Sequence, residues 1–369
     1  MRRLTHCKTA ACCASEICHA PTSTITPSEL GSDMIRFQLA VRVAALSLVA
    51  CSPSDNAPAR KVDAPAATSA PPALAAGEAF LNVPGGRIWY RKTGSAGGTP
   101  VILLHGGPGY SSYYLKPLEA LGSDRPVVRY DQLGGGKSDR ISDTTLFTID
   151  HFVRELDSLR AALGYDKVHL LGHSWGTILA LEYYKAHPEH VVSLTLASAA
   201  LDIPAWERNA RRLVRTLSDS AQKAIAVREA EKKFDAPDYQ HALEEFYGTY
   251  VWRHPVEADL DSLLKTANED IYNYMQGPSE FTITGTLKTY DATPFLRSVR
   301  VPTLFTVGEF DEADPPTIRR QAAMTPKAKV QVIPGAAHMT TWDNPDVMLK
   351  VVRGFLASVD TLAAKGARK

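Results

Sequence analysis

The sequence predicts an α/β fold, a mostly parallel sheet with helices on both faces and a helical insertion, and two observations carry that prediction. From about residue 77, short unbroken apolar runs alternate with segments of helical periodicity. The alternation stops once, over residues 203–290, which are charged, helix-like and aromatic-rich. In order, Ile88-Trp89-Tyr90 belongs to an edge hairpin beside the Pro84-Gly85-Gly86 turn. The runs 101–104 and 127–130 read as buried parallel strands, because a strand covered on both faces is apolar throughout. Residues 146–163 place Leu146, Ile149, Phe152, Val153, Leu156 and Leu159 at helical spacing, and Gly164 can end that helix in a left-handed conformation. A strand over 168–171, a helix over 177–186 and strands over 192–197, 302–307 and 330–333 complete the series. The α/β core is therefore expected over 77–202 and 291–362. Residues 203–290 are expected as a helical cap over the carboxyl edge of the sheet, where open α/β sheets bind ligands.

At 369 residues the chain is long enough for a large core, and 44% hydrophobic with 22% charged residues is ordinary globular composition. A formal net charge of +1 gives no electrostatic footprint for nucleic acid or an acidic membrane surface. All five cysteines (Cys7, Cys12, Cys13, Cys18, Cys51) lie within the first 51 residues, so the folded body has neither a disulfide nor a thiolate-bound metal.

The N-terminus reads as an address. From Met34, two arginines (Arg36, Arg42) precede an apolar run over 43–50 and then Cys51, a charged region and a core of signal-peptide length, too short to span a bilayer. Leu48-Val49-Ala50-Cys51 resembles a bacterial lipoprotein cleavage box, in which the cysteine is lipidated and becomes the first mature residue. The competing readings are an ordinary secretory signal and a stretch that is not translated. Residues 1–33 carry no coherent pattern, which leaves Met1 and Met34 both open as the start. With this extension over 1–51, the Pro/Ala/Ser-rich stretch 52–76 reads as a disordered tether that would hold an exported enzyme near a membrane through its lipid anchor.

Chemistry enters at Gly172-His173-Ser174-Trp175-Gly176, a G-x-S-x-G sequence between a strand and a helix. In that context it is a nucleophile elbow, whose turn is too tight for side chains at the glycines. The elbow makes the α/β-hydrolase fold the specific expectation. Ser174 as nucleophile needs a base and an orienting acid, which in this fold follow in the order acid, then histidine, at the ends of later strands. Asp311 and His338 stand at those positions. Asp314 is the rival acid, whereas His338 is the only histidine after residue 254. The loop His105-Gly106-Gly107-Pro108-Gly109 follows the strand over 101–104, so Gly107 is expected to supply one oxyanion N–H and Trp175 the other. Gly134-Gly135-Gly136-Lys137-Ser138 fails as a phosphate loop, because the required first glycine falls at Asp131. With no G-x-G-x-x-G and no H-E-x-x-H, neither a dinucleotide nor a catalytic zinc is expected, and no cofactor.

Taken together, His105-Gly-Gly-Pro-Gly109, Asp131-Gln132-Leu133-Gly134, Gly172-His-Ser-Trp-Gly176, Gly308-Glu-Phe-Asp311-Glu312 and His338 resemble the proline iminopeptidase family, serine aminopeptidases of the α/β-hydrolase fold. The resemblance runs from residue 77 to about 360. Within the family, the stretch from Tyr272 to Phe281 is similar to the tricorn-interacting aminopeptidases, which accept several N-terminal residues. It implies release of the N-terminal proline, or another small or hydrophobic residue, from short peptides with a free N-terminus. It also implies that Glu280 and Glu312 bind the substrate ammonium, with Tyr272 nearby; without it, Glu280 would read as a solvated carboxylate. Two rival readings stay open: a general carboxylesterase or amidase on the same fold, and a non-catalytic lipid-anchored binding protein that kept the fold alone.

Overall fold

A computed structural model describes residues 76–366, apart from Ala96 and Val256. Cys51, the signal-like segment and nearly all of the Pro/Ala-rich stretch lie outside the described residues. Among the described residues no helix is long and apolar enough to cross a membrane.

The alternating runs form an eight-stranded sheet in the order β1-β2-β4-β3-β5-β6-β7-β8. An antiparallel hairpin, β1 (Gly77–Val83) and β2 (Gly86–Thr93), forms one edge, and β2 also pairs antiparallel with β4. The other strands are parallel: β3 (Val101–Leu104), β4 (Val127–Tyr130), β5 (Val168–His173), β6 (Val191–Ala197), β7 (Thr303–Gly308) and β8 (Ala328–Ile333). Every residue of β3, β4, β5 and β7 is buried, as strands covered on both faces must be. Around the sheet lie α1 (Ile149–Ala162) and α2 (Trp175–Ala186).

Two helix starts differ from the sequence reading, besides shifts of one or two residues at strand ends. Leu146 belongs to a separate 3₁₀ turn, Thr144–Leu146, because the Thr148 side chain caps α1 by accepting from the His151 N–H at 3.2 Å. The helix after the nucleophile begins at Trp175 rather than Thr177. The Thr177 N–H already bonds the Ser174 carbonyl at 2.8 Å, so the elbow runs straight into the first helical turn.

Between β6 and β7 the chain builds α3 (Ile203–Val214), α4 (Asp219–Glu231), α5 (Pro237–Tyr250), α6 (Glu257–Thr266) and α7 (Glu269–Met275). This insertion leaves and rejoins the core side by side, with Ile203 N–H on Tyr290 O at 3.0 Å and Ala292 N–H on Leu201 O at 2.9 Å. Two further seams fasten it. At the start of α7, the Asn268 side chain donates to Gly134 O at 2.9 Å and its N–H to Gly109 O at 2.8 Å. At the end of α5, the carbonyls of Tyr250 and Val251 accept from the N–H groups of His338 (3.1 Å) and Met339 (2.7 Å). Asp343 reinforces that seam. One carboxylate oxygen accepts from Arg253 and His254 N–H, both at 2.8 Å, and the other from Ala337 N–H at 2.7 Å. After β7 the chain adds α8 (Pro315–Met324), α9 (Thr340–Asp343) and α10 (Pro345–Gly366).

Candidate active site

Ser174 sits between β5 and α2 at φ 54° and ψ −123°, a region that side-chain-bearing residues rarely occupy. The neighbouring glycines make the turn feasible. A Cβ on Gly172 would collide with the Gly176 carbonyl, and one on Gly176 with the carbonyl of Leu104 at the end of β3. The strained residue lines a small pocket together with Gly107, Tyr110, Tyr247, Glu280 and His338.

Asp311 and His338 meet there. The Nδ1–H of His338 donates to Asp311 Oδ1 at 2.9 Å, both residues being buried. Burial alone would raise the Asp311 carboxyl, but the neighbouring His338 and donors from Ser198 (2.6 Å) and the Ala313 N–H (2.9 Å) outweigh it and hold the group below the usual aspartate range. Asp314 is engaged elsewhere: it caps α8 through Thr317 N–H at 3.0 Å and pairs with Arg212 at 2.7 Å.

The two expected oxyanion donors flank the nucleophile. His105 Nε2 accepts from Gln132 N–H at 2.9 Å, so its Nδ1 carries the proton and donates to Gly106 O at 2.7 Å. Carbonyl and N–H point to opposite sides of one planar peptide, so holding Gly106 O aims the Gly107 N–H the other way. Trp175 is the first residue of α2, and its N–H therefore has no intrahelical acceptor. Its indole is fixed by Gln132 Oε1 at 2.8 Å.

The insertion brings the carboxylates. Glu280 lies in the loop after α7 and accepts from the Tyr272 hydroxyl at 2.6 Å; the Tyr272 ring lies 5.5 Å from that of Tyr110. Glu312 is fully buried, neither of its oxygens has a hydrogen-bond partner among the described residues, and one stands 4.0 Å from His338 Nδ1. Burial raises both carboxyls, Glu312 well above the glutamate range because Glu280 and Asp311 add like charge. Neither the fully buried Glu312 nor the half-buried Glu280 has a cationic partner among the described residues, and such acids are costly to hold ionised without one.

A family model for the alpha/beta hydrolase fold matches residues 99–345. A proline iminopeptidase of Heyndrickxia coagulans is 44% identical over 285 residues, 76% of this chain and 99% of that one. The chain belongs to the proline iminopeptidase family of α/β hydrolases. A proline iminopeptidase of Saccharolobus solfataricus is 34% identical over 77% of this chain and 94% of its own. The crystal structure of a Mycobacterium smegmatis proline iminopeptidase superposes with a TM-score of 0.71 at 31% identity, covering 78% of this chain and all of that one (100%).

Sequence reasoning missed several residues of this family member's site. Ser198, at φ 51° just beyond β6, binds Asp311, and its place at the carboxyl end of a sheet strand was the available signal. Tyr110 and Tyr247 gave none, because insertion side chains meet the core only in three dimensions. Glu155 supports the site from below: it projects from α1 under the Asp131–Gly134 loop and accepts from Leu133 N–H at 3.0 Å. Its other oxygen and the hydroxyl of neighbouring Tyr130 have no partner.

Burial pushes the Glu155 carboxyl up to about 8. A carboxyl raised in the folded state holds its proton more tightly there than in the unfolded chain. Its stabilising effect is complete below the unfolded value near 4.5 and is lost as pH rises toward 8. Glu155→Gln keeps the acceptor without the charge. Chemical denaturation at pH 5 and pH 9 should show wild type losing more stability across this interval than the variant.

Proposed function

We propose that this enzyme is a serine aminopeptidase releasing the N-terminal residue of short peptides, proline or another small or hydrophobic residue, through an acyl-enzyme. The single observation that carries the reading is the pair Glu280, half-buried beside Ser174, and Glu312, fully buried near His338, which have no cationic partner among the described residues. A free ammonium supplies that charge, and a site built for it rejects a substrate lacking it. The names of the relatives point the same way.

In this reading His338 takes the Ser174 proton through Nε2 while Asp311 holds the imidazole and stabilises its charged form. Ser174 Oγ attacks the first carbonyl carbon, and the N–H groups of Gly107 and Trp175 stabilise the oxyanion. As the C–N bond breaks, His338 returns the proton to the leaving amine. Water, activated by the same base, then attacks the ester and frees the amino acid and Ser174. Glu280, Glu312 and Tyr272 hold the ammonium throughout. The similarity of residues 272–281 to the tricorn-interacting type supports tolerance for several N-terminal residues. N-acetylation of a prolyl arylamide should abolish turnover. Glu280→Gln should raise KM for the free-amino substrate by about tenfold or more while leaving a simple aryl ester nearly unaffected. Equal effects on both substrates would favour a general esterase.

We further propose that the chain is an exported, cell-envelope or periplasmic lipoprotein anchored through Cys51. The charged and apolar pattern over 34–50 before a cleavage-box cysteine supports this. Metabolic labelling with an alkyne palmitate should tag wild type and not Cys51→Ala; equal labelling of both would exclude lipidation at Cys51.

A further inference from the structure

A buried chain of hydrogen bonds crosses the molecule directly beneath the nucleophile, and the steps above do not use it. The Gly106 N–H donates to the Tyr114 hydroxyl at 2.6 Å, which contacts His173 Nδ1 at 2.8 Å; His173 Nε2 in turn contacts the backbone carbonyl of His338 at 2.9 Å. Tyr114 and His173 are each 2% exposed.

The ends fix the direction of every bond. A backbone N–H can only donate and a carbonyl can only accept. The Tyr114 oxygen therefore accepts from Gly106 and gives its proton to His173 Nδ1, and His173 carries its own proton on Nε2. Only the neutral imidazole satisfies this chain. Burial, with His338 close by, pushes His173 down to about 3, which keeps it neutral across the working range. A proton on Nδ1 would leave the Tyr114 hydroxyl hydrogen without an acceptor.

The connected pieces are the three that must be in register for acyl transfer. The Gly106 N–H lies one α-carbon before the peptide unit that carries the Gly107 N–H. His173 precedes Ser174 in the chain. The carbonyl belongs to the residue that carries the base. A second fastening reaches the same stretch, because the Thr341 hydroxyl donates to Tyr114 O at 2.8 Å and the Trp342 ring stands edge-on to Tyr114 at 6.3 Å. The rings of Tyr114 and His173 lie 5.1 Å apart, and those of His173 and His338 4.6 Å apart.

We propose that Tyr114 and His173 form a buried strut that holds the oxyanion loop, the nucleophile elbow and the base loop at fixed spacing, and that both act as positioning residues. Neither needs to touch substrate. Their effect falls on the transition state, where a misplacement near an ångström costs a large factor, more than on ground-state binding. The inference rests on Ser174 and His338 being nucleophile and base. A simple ester, which needs no ammonium recognition, reports on the strut whether or not the aminopeptidase reading holds.

The test uses Tyr114→Phe, His173→Asn and the double variant in the full chain. It measures kcat and KM on an aryl ester, affinity for an alkyl boronic acid that mimics the tetrahedral intermediate, and Tm. Tyr114→Phe removes the central hydroxyl. His173→Asn offers Tyr114 an acceptor but cannot span to His338, so it tests the strut independently should the first variant not fold. Each folded variant should lose about tenfold to a hundredfold in kcat. KM should move by less than about twofold, with boronate affinity falling in step with kcat/KM. The double variant should lose little more than the worse single variant, because both changes cut one chain. Unchanged kcat and boronate affinity in the folded variants, or losses that multiply in the double variant, would overturn the proposal.

Discussion

Ser174 is held in a backbone conformation that only its surroundings make tolerable. At φ 54° and ψ −123° the residue carries strain of order 1–3 kcal/mol, which persists because the neighbouring structure leaves no alternative. Its N–H bonds Ala197 O at 3.0 Å, and its carbonyl is held by the Thr177 N–H and hydroxyl. Gly172 and Gly176 let strand, turn and β3 approach closely enough to impose this geometry. Much else in the site takes its position from that turn: the hydroxyl stands above the sheet edge, Trp175 becomes the first residue of α2, and His173 is driven beneath the base.

Around that turn, buried polar groups are partnered in ways that leave one arrangement. His105 is fixed in one tautomer by Gln132 and Gly106, and Asp311 collects three donors besides His338: the Ser198 hydroxyl and the N–H groups of Gly308 and Ala313. Glu312 contrasts with these groups. Both of its oxygens are fully buried without a hydrogen-bond partner among the described residues, which is costly unless a ligand completes them. The insertion is fastened at α5 and α7 rather than resting loosely on the core, so Glu280 and Tyr272 arrive as part of a docked layer.

The strands and the chemical motifs were legible because burial on both faces writes unbroken apolar runs and because the elbow needs glycines at fixed spacing. Ser174, Asp311 and His338 could be placed from those runs alone. The beginning of α2 was read two residues late, since periodicity has no signature for a turn that is already helical in its bonding. Ser198 drew no reading from the sequence, and His173 was read only as a member of the elbow motif. The glycines at 134–136 fail as a phosphate loop, but Gly134 O receives Asn268 and Gly136 N–H bonds Thr266 O at 3.2 Å, so this loop is a landing for the insertion. Such roles depend on partners more than a hundred residues away, and no local pattern encodes them.

The central claim is that one strained serine, activated by His338 and Asp311, does the chemistry. Intact-mass and peptide mapping after treatment with a fluorophosphonate test it directly. The account predicts a single adduct on the peptide containing Ser174, absent in Ser174→Ala and formed far more slowly in Asp311→Asn, whose neutral amide cannot stabilise the charged imidazole. An adduct on a different serine, or labelling that survives Ser174→Ala at the wild-type rate, would contradict it.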